Sequence, residues 1–344
     1  MPLKMSDLFA SPDHFLFAFE GEQAVFLDMD RAAYARSIFV DRRIAPASDK
    51  VLQIGVGQLA AAAPAGIGTS EIGWIFHIAH CGSTLLARAL DVAGDLVIRE
   101  PMALRQLGVE AANGARGAAW KTKLDLAVTL MGRRYAPEAP VIVKANVPTN
   151  IIAADLLAAS PSGRAIFLHF PLEAYLLAIL RSDSHRKWIE TVTASLRPAL
   201  AAEIGDDRDM SPATLAAALW LTQIRLYAEL MDRYPSTVSL DADTLFDHPE
   251  PVLAAAFAYF GMTVEDRRVE AIVASDLFST YSKSPGVAFD NAARLARQSA
   301  VRDAIAPELD LARAWVDRRL AARPLPERLP RPIHGEGVAL MGRD

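Results

Sequence analysis

From Trp74 to Leu90 the chain passes from an apolar strand through a short loop, Ala79-His80-Cys81-Gly82-Ser83-Thr84, into an amphipathic helix. That path limits the fold, because a buried strand feeding straight into a helix belongs in a sheet whose faces helices cover. Several backbone N–H groups and the positive helix end then converge on one point, which suits a phosphate or sulfate group. A second reading stays open here, a plain strand-to-helix turn with Ser83 or Thr84 as the helix cap.

Strands and helices alternate on either side of the loop. Short apolar runs predict strands at Trp74–Ile78, Leu96–Ile98, Val141–Lys144, Ala165–His169 and Thr237–Leu240, as in a buried parallel sheet. Helices are expected at Thr84–Val92, Thr149–Ala159, Leu172–Arg181, Ser211–Tyr234 and Pro251–Phe260. Ligands of such sheets bind beyond the carboxyl ends of the strands, where the Gly82 loop sits. Upstream, two aromatic-rich runs around Glu20-Gly21-Glu22 predict a hairpin over Phe15–Leu27, and Ala60–Gly68 has the character of a linker. The expected architecture is therefore an α/β protein: a small N-terminal β-rich extension over residues 1–70, then a P-loop-like three-layer sandwich with a parallel central sheet over 71–344.

Composition removes several function classes. With 344 residues, 52% of them hydrophobic, the chain has ample material for a large core. A net charge of −5 argues against general affinity for nucleic acid. No apolar run nears the roughly 20 residues of a membrane span. The single cysteine, Cys81, excludes an internal disulfide, and the first residues show no signal core, so a cytoplasmic protein is expected. His77 and His80 have no acidic or thiol companions at ligand spacing, so no metal site is expected.

The loop departs from the nucleotide-binding pattern Gly-x-x-x-x-Gly-Lys-Ser/Thr: His77 stands at the first Gly and Ser83 at the Lys. It resembles the sulfotransferase family instead, whose loop runs Pro-Lys/Arg-Ser-Gly-Thr-Thr before a Leu-containing helix. Here the same places read Ala79 to Thr84, with His80 as the cation. The resemblance implies binding of 3′-phosphoadenosine 5′-phosphosulfate (PAPS), with His80, Cys81, Gly82, Ser83, Thr84 and Leu85 around its 5′-phosphate. It implies transfer of the sulfuryl group to a hydroxyl or amine of a small-molecule, glycan or peptide acceptor that the sequence does not identify.

Further segments extend the resemblance over about residues 70–290. Pro140–Pro148 falls where cytosolic members carry a strand ending in Lys-Thr-His-Leu-Pro. Lys144 then neutralises charge on the transferring group, or it is a snorkelling strand-end lysine. The family's base, a His, falls on Asn146, which cannot take a proton. Glu100, after the second strand as in branches acting on carbohydrate or protein hydroxyls, is the alternative base, unless Arg99 pairs with it and makes the two structural. In the segment that binds the 3′-phosphate, His169 replaces Arg and Leu177 replaces Ser. The contact is lost, altered, or supplied by Arg181, Ser182, His185, Arg186 or Lys187. Tyr234–Glu250, followed by Phe257 to Gly261, matches the late strand and helix start. The polar loop Tyr281–Gly286 offers Lys283 to the cofactor, or serves as an ordinary connector. Two alternatives accompany the sulfotransferase reading: an ATP- and magnesium-dependent phosphotransferase, and a non-catalytic binding protein that keeps the fold. The acceptor pocket is expected from variable segments such as Asn113–Arg134 and Ser184–Met210.

Overall fold

The computed structural model describes residues 4–91, 96–160, 162–205 and 210–342. The expected end of the first helix at Val92, and residues 206–209 of the second acceptor segment, lie outside them. Ten strands occur among the described residues: β1 (His14–Glu20), β2 (Gln23–Asp28), β3 (Val51–Gly55), β4 (Ile72–His77), β5 (Leu96–Arg99), β6 (Val141–Lys144), β7 (Ala165–His169), β8 (Val238–Asp241), β9 (Thr280–Tyr281) and β10 (Ser284–Ala288). They form a five-stranded sheet in the order β5-β6-β4-β7-β8, a three-stranded sheet β1-β2-β3 and the hairpin β9-β10. The protein is thus an α/β fold with a parallel central sheet and a small antiparallel N-terminal sheet, as the sequence predicts.

Two compact units divide the chain, one of residues 1–76, 84–165 and 257–265, the other of 77–83, 166–256 and 266–344.

In the first unit β6 lies parallel between β4 and β5, with Trp74 opposite Val143 and Ile98 opposite Val143 on the other side. Every residue of β5 and β6 is buried, Arg99 and Lys144 included. Apolar runs of four residues suffice because helices cover such strands on both faces. The β1-β2 hairpin turns at Gly21-Glu22, where Gly21 takes φ +59°. Its outer strand is closed off by Gln106, whose side chain accepts from the Phe19 N–H and donates to the Phe19 carbonyl, both at 2.9 Å. Gln106 belongs to the helix Met102–Ala112, which approaches the turn after β6 so closely that a Cβ on Gly108 would lie 2.2 Å from the Pro148 carbonyl oxygen.

The expected helix over Thr149–Ala159 is instead a 3-10 turn, Val147–Ile152, followed by one and a half turns of α-helix, Ala153–Ala158. Asn146 explains the difference. Its Oδ1 accepts from the Thr149 N–H at 3.3 Å and the Thr149 hydroxyl at 3.0 Å, which starts the turn directly at the strand end. The linker expected over 60–68 also changes, since the helix Val56–Ala61 reaches into it.

In the second unit β7 and β8 pair in parallel, His169 opposite Asp241. The 22-residue helix Pro212–Arg233, capped by Ser211, supplies Trp220, Ile224 and Tyr227 to the core. The expected loop over Tyr281–Gly286 is a tight hairpin instead: Tyr281 pairs with Ser284, Ser282 and Lys283 form the turn, and Gly286 lies within β10. Among the described residues no helix is long and apolar enough to cross a membrane.

Candidate functional site

The loop after β4 is held in a conformation that side chains rarely adopt. Ala79, His80 and Gly82 all have positive φ, at +77°, +52° and +78°. At the two non-glycine positions such backbone strain costs about 1–3 kcal/mol each, and it concentrates at functional sites. His77, which replaces the glycine of the nucleotide pattern, helps to fix the turn: its Nδ1 accepts from the Ala79 N–H at 3.0 Å. A side chain at Gly82 would be strained by its φ and tightly packed, since a Cβ there would sit 3.0 Å from Phe246 Cζ and 3.3 Å from Leu245 Cδ2.

The loop ends in the helix Ser83–Asp91. Its first N–H groups have no intrahelical acceptor. Ser83 and Thr84 are buried, and among the described residues no group hydrogen-bonds the Thr84 hydroxyl oxygen. Leu85 lies in the core, so only its backbone N–H can reach a ligand. Cys81 is buried with its thiol 3.7 Å from the Leu168 carbonyl, a packing role.

A basic cluster stands beside His80 in the second unit. The His80 and His185 rings meet edge to face with centroids 4.2 Å apart, and Trp188 packs on His80 at 5.4 Å. Arg181 donates from Nε to His185 Nδ1 at 3.1 Å, which leaves that imidazole neutral with its proton on Nε2. Burial pushes the His185 pKa down to about 4, with Arg181 and Lys283 adding to the shift, and the same causes hold His80 well below the usual histidine range. Lys283, exposed in the β9-β10 turn, and Arg297 of the helix Asn291–Ala304 complete the cluster; burial depresses the Arg181 pKa and nearby Arg297 adds to that shift. Of the other cations expected here, Arg186 is committed to Glu308 through bonds of 2.7 and 2.9 Å.

His169 is elsewhere in character. It is only 2% exposed, and burial lowers its pKa to about 4. The Phe167 and Leu240 carbonyls near the ring pull that value back a little, but neither meets hydrogen-bond geometry, so both ring nitrogens stay unbonded among the described residues. Leu177 is a core residue.

In the first unit the ends of β5 and β6 bring Glu100 and Lys144 together. The Lys144 ammonium, fully buried, forms an ion pair with Glu100 and lies 5.6 Å from the centre of the Phe39 ring. Glu100, whose side chain is 16% exposed, has φ +58° directly before Pro101, a residue pair that disfavours helical backbone. Its N–H donates to the Lys144 carbonyl at 2.8 Å and fixes the turn. Arg43 approaches Glu100 at 3.7 Å from the solvent side. Arg99 takes no part in the pair. Its guanidinium is buried against Asp91 and the carbonyls of Ile38 (3.1 Å) and Ser37 (2.7 Å).

Sequence reasoning weighed Arg99 as a structural partner of Glu100 and missed its bonds to the Ile38 and Ser37 carbonyls, as it missed Arg297 beside Arg181, because these contacts join residues far apart in the chain. Among the described residues, three of the four non-glycine positions with positive φ, Ala79, His80 and Glu100, fall at positions or in a loop that the sequence singles out. Among the described residues no three His, Cys, Asp or Glu side chains are grouped to hold a metal ion.

No protein-family model matches the chain, and no curated protein does. Among solved structures the chain is similar to a sulfotransferase domain from the curacin biosynthetic pathway, at 12% identity and a TM-score of 0.39, over 64% of this chain and 83% of that one.

Proposed function

We propose that the loop from His80 to Leu85 binds the 5′-phosphate of PAPS, and that the chain transfers the donor's sulfuryl group to a hydroxyl or amine acceptor. One observation carries this reading: the Thr84 hydroxyl, buried in the first helical turn beside a left-handed loop, has no hydrogen-bond partner among the described residues. A buried hydroxyl without a partner costs stability, and an anionic ligand at the helix start would satisfy it. Gly82, Ser83 and Thr84 would hold the phosphate, with the N–H of Leu85 behind them. Lys144 would neutralise charge on the transferring group and Glu100 would take the acceptor's proton. His169 is buried and neutral and Leu177 is a core residue, so Lys283, with Arg181 and His185, is the better candidate for the 3′-phosphate contact.

A second reading, binding without transfer, is favoured by the ion pair that already engages both Lys144 and Glu100.

Calorimetry with 3′-phosphoadenosine 5′-phosphate, beside ATP with and without magnesium, tests the proposal in wild type and Thr84→Val. The isosteric valine removes only the hydroxyl. Metal-independent binding of the bisphosphate, weakened about tenfold in Thr84→Val with folding stability equal or higher, is the expected result. Binding that needs magnesium and prefers ATP, or equal binding by both variants, overturns it. Given binding, turnover by wild type that is lost in Lys144→Ala and Glu100→Gln while both variants remain folded and still bind the bisphosphate supports transfer, and turnover unchanged in both removes the two residues from the reaction.

A further inference from the structure

We propose that Arg181, His185, His80 and Lys283 form a proton-linked oxyanion site, at which a sulfate or phosphate group and one proton bind together, so that affinity rises as pH falls. The inference rests on the reading that this loop handles an anionic ligand, and it adds how that binding responds to pH.

Arg181 donates its Nε hydrogen to His185 Nδ1. A guanidinium is a permanent cation that pairs best with oxyanions. Here it donates to a neutral imidazole nitrogen, a weaker acceptor than a carboxylate or phosphate oxygen. Among the described residues no carboxylate pairs with Arg181, or with Arg297 near it. Arg186, five residues along, shows the ordinary alternative in its two bonds to Glu308.

The groups around the two imidazoles come from several elements. His80 faces His77 from the end of β4, Arg181 from the end of the helix Leu172–Leu180, His185 from the helix Asp183–Ser195, and Lys283 from the β9-β10 turn. His185 faces Arg181 and Lys283. Every one of these neighbours is basic. Without an anion, protonating either imidazole adds a charge to a cationic cluster, and both stay neutral.

An oxyanion reverses this balance. It draws the Arg181 guanidinium away from His185 Nδ1, which then takes a proton from solvent and carries N–H groups on both ring nitrogens. One proton is gained per anion bound, and no covalent bond changes. Linkage then requires that affinity rise as pH falls below the ordinary histidine value near 6.5.

Sulfate is the probe, since its charge is constant between pH 5.5 and 8. Titration calorimetry of the full chain in two buffers of different ionisation heat reads proton uptake directly. Expected are an affinity several-fold to tenfold higher at pH 5.5 than at pH 7.5, uptake approaching one proton, and quenching of Trp188 fluorescence that Trp188→Phe removes. His185→Gln keeps an acceptor for Arg181 and cannot titrate, so sulfate binding should persist with a flat pH profile. Binding without proton uptake, an unchanged pH profile in His185→Gln, or no sulfate binding overturns the proposal. Sulfate-linked uptake that survives in Thr84→Val while the adenosine bisphosphate fails to bind would sink only the donor assignment.

Discussion

At the scale of single residues, burial turns one histidine and one ion pair into measurable quantities. His169 is buried and neutral, with its pKa lowered to about 4 against an ordinary value near 6.5. The unfolded chain therefore binds a proton more readily, so the stability this residue supports is complete above pH 6.5 and falls away as pH drops towards 4. At 1.36 kcal/mol per pKa unit, it accounts for a loss of about 2 kcal/mol between pH 7.5 and pH 5. Urea unfolding at those two pH values should show a smaller acid loss in His169→Leu than in wild type; equal losses would mean that the ring is not buried neutral. Lys144 offers the opposite case, a charge buried with its partner. Removing Glu100 takes away the carboxylate paired with that buried ammonium, and breaking such a pair costs about 3–5 kcal/mol. Glu100→Gln and Lys144→Met should each lower stability by several kcal/mol, and the double variant should recover much of it. Strictly additive losses would show that the two side chains are not coupled. The pairing was not legible in the sequence, where Arg99 stands beside Glu100 and Lys144 lies 44 positions away. Alternation along β5 decides the matter, sending Arg99 into a buried set of carbonyls and leaving Glu100 at the turn.

Among the elements, those buried on all sides were the most legible. β6 and β7 run over the residues that their apolar runs predict, Val141–Lys144 and Ala165–His169, because nothing except burial sets their limits. Elements whose conformation depends on one hydrogen bond or one turn were not. The 3-10 turn after β6 rests on the Asn146 side chain, and the β9-β10 hairpin has too few residues to show alternation. The same applies to Gly108, an ordinary-looking glycine inside the helix Met102–Ala112. Helix propensity favours alanine there by about 1 kcal/mol. The structure reverses the sign, since the added methyl would meet the Pro148 carbonyl at 2.2 Å, and that neighbour is backbone. Gly108→Ala should cost roughly 1–3 kcal/mol in chemical denaturation. A neutral or stabilising effect would mean that the helix and the turn do not touch as described.

For the whole molecule, the path of the chain matters more than its composition. The first unit needs residues 257–265 in addition to 1–76 and 84–165, and about ninety residues separate that segment from Ala165. What the segment contributes is specific. Tyr259 accepts from the Ala165 N–H at 2.8 Å and donates to the Ala165 carbonyl at 3.1 Å, and Phe260 fills the space that a side chain at Gly73 would take, with its ring carbons 2.6 and 2.7 Å from the position of a Cβ. Gly73 sits in β4, so a segment remote in sequence completes the packing of a central strand. The sequence shows Phe257 to Gly261 as the end of a helix and as part of the family resemblance, but not its packing partner, because the complementarity lies between a missing side chain and a distant ring. The unit is therefore not a contiguous piece that can be cut out. A fragment ending at Ala165 leaves β4 exposed beside Gly73 and the Ala165 backbone groups unbonded, so it should show no cooperative urea transition. In the full chain, Phe260→Ala should cost about 3–5 kcal/mol, as for other buried aromatic truncations. A cooperatively folding fragment, together with a full chain indifferent to Phe260→Ala, would show that the returning segment is dispensable and that the division of the chain lies elsewhere.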